Sequence, residues 1–238
     1  MPMRDAENGG SSARCVDCAA QAKCNFFSSP IVQAVTERGF YGRGYLIVQQ
    51  GEVAREVFMV RAGWLRLSHV SASGKAVADL VGPGTLLGVP EVVTGTPHKN
   101  SVETLEECDL EWVNADAFLS LLTTSPLLSL ELLKTVSQQV LKLASRLNDH
   151  AGGLPSGRRL LLALREISEN CGALTPQGVR IRLPLSMQDL ADKVGCSRQW
   201  IWKMLGELEA EGYLRRKGSW ITLLAASANA RSKLGKSA

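Results

Sequence analysis

Near Asn114 the chain changes its residue period, and that change most narrows the folds open to it. From Gly39 to about Val113 short apolar or alternating runs are punctuated by glycine. Val57-Phe58-Met59-Val60, Trp64-Leu65-Arg66-Leu67-Ser68 and Ala76 to Val81 are separated by Arg61-Ala62-Gly63, Ser71-Ala72-Ser73-Gly74 and Gly82-Pro83-Gly84. Many short strands with turn chemistry between them predict an antiparallel sandwich or small barrel. Beyond Asn114 the spacing becomes helical, with a short helix over Asp116 to Leu122 and a long one after Pro126. Strands first and helices afterwards define an α+β chain.

In the long helix Leu133, Val136, Val140, Leu143 and Leu147 recur at alternating steps of three and four. That is the a/d spacing of a coiled-coil seam. Over two heptads the same pattern also suits a helix packed on its own barrel. Gly152-Gly153-Leu154-Pro155-Ser156-Gly157 ends the helix and forms a hinge. A second domain follows. It opens with a helix from about Gly157 to Asn170, then Val179 to Leu183, which alternates like an edge strand.

The next segment carries the clearest local signals. Ser186-Met187-Gln188-Asp189 is a capping box opening a helix through Lys193, Gly195 marks a turn, and Ser197 caps a helix from Arg198 to about Glu211. Two short helices joined by a glycine-containing turn are a helix-turn-helix unit. Its second helix would present Arg198, Gln199, Trp202 and Lys203 to the major groove, while Ile201, Leu205 and Leu208 face inwards. Arginine reads guanine bidentately and glutamine can read adenine. Ser186 and Ser197 would meet phosphate as helix caps. Tyr213-Leu214, the basic turn Arg215-Arg216-Lys217-Gly218 and Trp220 to Leu223 form a hairpin, a wing able to set three cations on the DNA backbone. The competing reading is a helical packing domain with an incidental basic turn.

Charge supports a polyanionic partner. Residues 155–238 hold 14 Lys or Arg against 7 Asp or Glu, whereas residues 1–154 hold 13 against 16. Hydrophobic residues are 45% of the chain, and no apolar run approaches the roughly 20 residues of a membrane span. The start, Met1 to Arg14, has no secretory apolar core. A cytoplasmic location is expected. No Ser/His/Asp grouping, phosphate loop or paired-carboxylate motif points to an enzyme.

Of six cysteines, Cys15, Cys18 and Cys24 cluster in a polar segment that offers them no core to fill. Such spacing lets one loop wrap a metal or cluster, with a fourth ligand from elsewhere. Cys108 is the natural candidate, in a strand with Glu106, Glu107, Asp109 and Glu111 nearby. Spacing alone leaves zinc and an iron–sulfur cluster equally open, beside a reversible disulfide or a free Cys108. Cys171 and Cys196 read as packing thiols.

From Cys15 to about Leu224 the chain resembles the CRP/FNR family of bacterial regulators. The resemblance is carried by Gln50-Gly51-Glu52, Val57 to Gly63 with Leu65, Gly82-Pro83-Gly84, and Val194-Gly195-Cys196-Ser197-Arg198. The amino-terminal cysteine spacing with Cys108 resembles the FNR branch, which implies an oxygen-labile [4Fe–4S] cluster on Cys15, Cys18, Cys24 and Cys108. The resemblance also implies a jelly-roll β-barrel sensor domain of the cyclic-nucleotide-binding kind, a dimerisation helix and a winged helix-turn-helix. A homodimer on a palindromic promoter site, and contact with RNA polymerase, follow as expectations. Oxygen, nitric oxide or redox state would break the cluster and weaken the dimer.

Three departures stand out. Pro97-His98-Lys99-Asn100-Ser101 lacks the arginine of the family's phosphate cassette, so a cyclic nucleotide is not the expected effector. Gln199, Lys203 and Trp202 stand where relatives of this branch commonly carry Glu, Arg and Ser, so its usual half-site does not carry over. Ala19 and Lys23 flank the ligands and alter their surroundings. The alternatives are a haem sensor using His69 or His98, a structural zinc, and, from another class, a thiol-redox or electron-transfer protein. The expected layout is a disordered lead-in over 1–14, the cluster segment and sensor over 15–124, the dimerisation helix over 125–151, the hinge over 152–157, the DNA-binding domain over 158–224 and a flexible tail over 225–238.

Overall fold

The structure is a computed structural model and describes residues 25–70, 76–151, 155–182, 186–218 and 220–224. The expected lead-in, the tail, and Cys15, Cys18 and Cys24 lie outside the described residues. The chain divides into two compact units, Met1–Ala144 and Ser145–Ala238.

The described part of the first unit begins with two short helices, α1 (Asn25–Ser28) and α2 (Pro30–Gln33). Eight strands follow: β1 (Glu37–Tyr41), β2 (Leu46–Val48), β3 (Glu56–Ala62), β4 (Leu65–Val70), β5 (Ala76–Val81), β6 (Leu86–Leu87), β7 (Ser101–Thr104) and β8 (Cys108–Asn114). Helix α3 (Val89–Thr94) interrupts them, and α4 (Ala115–Thr124) and α5 (Pro126–Ala151) come after. The strands form two antiparallel four-stranded sheets, β1-β8-β3-β6 and β2-β7-β4-β5. This is the expected jelly-roll of an α+β chain, and of the sandwich and barrel forms it is the sandwich: among the described residues no ladder joins the two sheets.

The continuous apolar run at Val57–Val60 has a simple cause. Phe58 and Val60 point between the sheets with Leu65, Leu87, Val102, Cys108, Leu110 and Trp112. Val57 and Met59 point the other way, into a layer built by Phe26, Phe27, Val32, Phe118, Leu128 and Leu132 from the helices. A strand covered on both faces loses the alternation that a half-solvated strand keeps. Phe26 and Phe118 meet edge to face at 5.4 Å between centroids, anchoring the chain immediately after Cys24 to the helical layer.

The second unit comprises α6 (Ser156–Cys171), β9 (Ala173–Thr175), β10 (Gly178–Arg182), α7 (Met187–Val194), α8 (Arg198–Ala210), β11 (Leu214–Lys217) and β12 (Trp220–Leu224). Its sheet runs β11-β12-β10-β9. The strand expected at an edge, β10, is therefore interior. The short β9, which lacks a recognisable alternation in sequence, covers its outer side. Helix α6 begins at Ser156, so the carboxy-terminal part of the expected hinge is already helical. Among the described residues no single helix is long and apolar enough to cross a membrane.

Candidate functional site

The two helices α7 and α8 are set by local chemistry. The Ser186 hydroxyl donates to Asp189 Oδ2 at 2.6 Å, and the Asp189 N–H donates back to Ser186 Oγ at 3.2 Å. The Ser186 N–H completes the box by donating to the same carboxylate at 3.0 Å. Ser186 is thus committed to its own helix. Gly195 ends α7 in the left-handed region at φ 71, where a side chain would cost about 1–2 kcal/mol. Ser197 Oγ accepts the Trp200 N–H at 3.2 Å and starts α8. From α6, Arg159 Nε donates to the Val194 carbonyl at 3.1 Å, satisfying an acceptor at the end of α7. Lys193, nearly buried, pairs with Glu166 at 3.3 Å. Sequence reasoning missed both α6 contacts, which join residues about thirty apart.

Ile201, Leu205 and Leu208 of α8 are buried with Leu190, Ala191 and Val194 of α7. The opposite side of α8 leaves Arg198, Gln199, Trp202 and Lys203 exposed together, while Trp200 is half-buried. Lys203 meets Glu207 at 3.8 Å, an exposed pair that holds it only weakly.

In the wing, Arg215 and Lys217 are exposed but Arg216 takes another role. Its Nε lies 2.7 Å from Glu209 Oε2, and its backbone N–H donates to Glu209 Oε1 at 2.7 Å. These bonds, the backbone one foremost, hold the Glu209 carboxyl below its ordinary range. The guanidinium also lies 5.8 Å from the Trp202 ring centroid. Arg216 therefore ties wing to recognition helix and props an indole, while Arg215 and Lys217 of the same basic turn stay exposed. Alternation explains it: Arg216 is opposite Ile221 in register, on the inner face of the sheet.

Lys217→Ala is expected to weaken binding to all DNA sequences alike and to lower the log–log salt slope by about one, whereas Gln199→Ala shifts base preference. Binding isotherms on a panel of single-base site variants at several salt concentrations check this. Identical effects from the two changes would end the division of labour between helix and wing.

Cys108, the one proposed cluster ligand within the described residues, is fully buried at the start of β8 opposite Tyr41. Its Sγ donates weakly to the Trp64 carbonyl at 3.4 Å and the Glu106 carbonyl at 3.5 Å. Burial first, and the Glu106 charge second, push its thiol up to about 12. Of the nearby acids, Asp109 is engaged by Arg38 at 2.6 Å, and Glu111 is buried beside Arg61 at 3.7 Å. Cys196 is half-buried, and burial raises its thiol too. Cys171 is the last residue of α6, not a residue beyond it. Among the described residues no three His, Cys, Asp or Glu side chains are grouped to hold a metal ion.

The histidines considered as haem ligands have other surroundings. The His69 ring bonds the Lys99 carbonyl at 2.8 Å. His98 is buried beside a cavity of about 40 Å³ lined also by Phe58, Glu91, Asn100 and Val102.

On α5, Leu128 and Leu132 are buried in the first unit's helical layer. Leu133, Val140 and Leu143 are more than half exposed, as are Leu127 and Leu141, which the sequence pattern did not single out. Val136 differs from the expected seam by packing against the helical layer. The backbone of Leu147 continues the helix; its side chain lies outside the described residues.

A jelly-roll sandwich, a long helix with an exposed apolar stripe and a winged helix-turn-helix follow one another along the chain. Residues 38–125 match the cyclic nucleotide-binding domain, and residues 158–228 match the Crp-like helix-turn-helix domain. The chain is 21% identical to the CRP-like cAMP-activated global transcriptional regulator of Mycobacterium tuberculosis over 184 residues, covering 77% of this chain and 82% of that protein. It is 20% identical to the anaerobic regulatory protein of Haemophilus influenzae over 233 residues, 92% of this chain and 88% of that one. Its fold is similar to that of FixK2 from Bradyrhizobium japonicum, with a TM-score of 0.70 at 19% identity, over 79% of this chain and 92% of that one. The chain belongs to the CRP/FNR family of transcriptional regulators.

Proposed function

We propose that this regulator binds promoter DNA as a homodimer and that a [4Fe–4S] cluster on Cys15, Cys18, Cys24 and Cys108 governs its dimerisation and binding. The observation that carries the reading is the Cys-x2-Cys-x5-Cys spacing with a fourth cysteine at the head of β8. The similarity to an anaerobic regulatory protein extends over 92% of the chain, against 77% for the cAMP-activated relative, and so reaches further beyond the two shared domains.

The donor chemistry fits, since four thiolates are the usual ligand set for such a cluster. When bound, it supplies an inorganic centre whose loss in oxygen or nitric oxide is the signal. The chain's own residues do the rest. Cys108 must leave the Trp64 and Glu106 carbonyls and give up its proton, so the turn at Gly63 has to move for it to ligate. Leu133, Val140 and Leu143 form the stripe that a second copy covers. With so short a seam, a few kcal/mol are enough to shift a two-state interface. The missing arginine in Pro97-His98-Lys99-Asn100-Ser101 supports an effector other than a cyclic nucleotide. Contact with RNA polymerase belongs to the same proposal.

The sealed Cys108 favours one competing reading, a zinc held by the three amino-terminal cysteines with no sensing role. Anaerobic purification separates the two. The cluster predicts brown protein with about four irons and four sulfides per chain, shifting a promoter fragment that it releases after air. Colourless protein, zinc without sulfide, or equal binding before and after air would overturn the sensing reading.

A further inference from the structure

The turn between α7 and α8 is held from a third helix as well as from within. Locally, the Gly195 N–H donates to the Asp192 carbonyl at 3.2 Å and the Cys196 N–H to the Ala191 carbonyl at 3.0 Å, closing the end of α7. The Val194 and Gly195 carbonyls are met by one side chain, Arg159 of α6. Its Nε donates to Val194 O at 3.1 Å, and its Nη2 lies 3.5 Å from Gly195 O and 3.2 Å from Ser156 Oγ. A single guanidinium thus joins the head of α6 to a turn 35 and 36 residues further on. Its charge also suits the carboxy-terminal end of α7, where the helix dipole favours a cation.

That turn leads straight into the reading residues. Arg198 and Gln199 follow the Ser197 cap and are exposed. The fully buried contacts of α8 begin only at Ile201 and continue through Leu205 and Leu208, with Glu209 gripped by Arg216 beyond them. Core packing therefore fixes the axis of α8 from its second turn onwards. The first turn, where helix ends fray, has the half-buried Trp200, the Ser197 cap and the turn before it.

We propose that Arg159 is a positioning residue for base reading, acting through the Val194–Gly195 turn that sets where Arg198 and Gln199 stand. The inference rests on the DNA-binding reading above. The guanidinium suits this task because its donors lie in one rigid plane, so that two contacts fix both the distance and the direction of the turn from α6. An ammonium keeps the charge without that fork. Side chains that discriminate bases must be held to within about 0.5 Å of their productive geometry by the residues behind them. Arg158, the exposed neighbour, carries the same charge at the same helix end and provides the comparison.

The test compares Arg159→Lys, Arg159→Gln and Arg158→Gln with the parent, each as anaerobically prepared full chain. Binding is measured across salt concentrations on the inverted repeat that the parent selects from a random-sequence pool, and on a scrambled duplex of equal length. Both Arg159 variants are expected to bind the selected repeat about 10–100-fold more weakly, the discrimination carried by one base contact. On the scrambled duplex their affinity and salt slope should match the parent's, and Arg158→Gln should keep the parent's preference for the repeat. Full preference in Arg159→Lys would show that charge alone suffices and overturns the proposal. Equal loss on both duplexes, with a salt slope lower by about one, makes Arg159 a phosphate contact and also overturns it. So does a loss of preference that tracks a loss of folded protein, read by circular dichroism under the binding conditions. Failure of the parent to bind any duplex would instead remove the DNA reading itself.

Discussion

Cys24→Ser and Cys108→Ser are each expected to yield protein lacking both iron and sulfide, with DNA binding no longer responsive to air, while Cys171→Ser retains both. A cubic cluster with one thiolate removed keeps an open iron and is far more easily lost. Serine suits position 108 because its hydroxyl can donate to the same Trp64 and Glu106 carbonyls that the thiol now meets. The substitution then avoids an unpaired buried hydroxyl, which would cost about 1–3 kcal/mol. Urea unfolding of the cluster-free forms gives the control. Iron and sulfide analysis reads the result: full cluster content in Cys108→Ser would leave the amino-terminal cysteines with a different fourth partner. Equal loss in all three variants would remove the four-ligand assignment.

Gly63→Ala is expected to destabilise the first unit by about 2–4 kcal/mol, the range of a strained, overpacked site. Gly63 has φ 89, and a Cβ there would lie 2.5 Å from Cys108 Sγ, 2.7 Å from the Glu107 carbonyl oxygen and 2.9 Å from Cys108 Cα. The left-handed backbone contributes about 1–2 kcal/mol of the loss and the collisions the remainder. Combining Gly63→Ala with Cys108→Ala should recover only part of the stability, since the sulfur leaves but the backbone contacts stay. Urea midpoints of the four proteins measure this cycle. A midpoint for Gly63→Ala equal to the parent's would mean the turn does not press on β8 as described. Because the same turn seals Cys108, the proposed ligation and the stability of this corner are coupled.

Several elements were legible because their causes are local. The Ser186 capping box, the left-handed Gly195 and the Ser197 cap lie within a few residues of the groups they satisfy, and α7 begins and ends, and α8 begins, where those residues stand. The run at Ala76–Val81 is one strand, and the helical spacing after Asn114 gives α4 and α5. Other features depend on partners distant in the chain. Whether eight strands close or split into two sheets is decided by pairing over tens of residues, and alternation is the same in both. The interior place of β10 depends on β9, three residues too short to show a pattern. Arg216 looks like its neighbours in a basic triplet, yet the pleat turns it onto Glu209. Val136 fits the seam by spacing but is claimed by the first unit's helical layer.

By itself, then, the sequence determined the order of strands and helices, the helix-turn-helix with its caps, the family likeness and the cysteine spacing, all carried by residue type at short separation. Tertiary structure decided which side of each strand is covered, and with it that Cys108 is a buried thiol, that Arg216 is a tether and that Arg180, Arg215, Lys217 and Trp220 share one open face. The reason is geometric. Side-chain period assigns residues to two alternating faces, but only the packing of other elements determines which face meets the core.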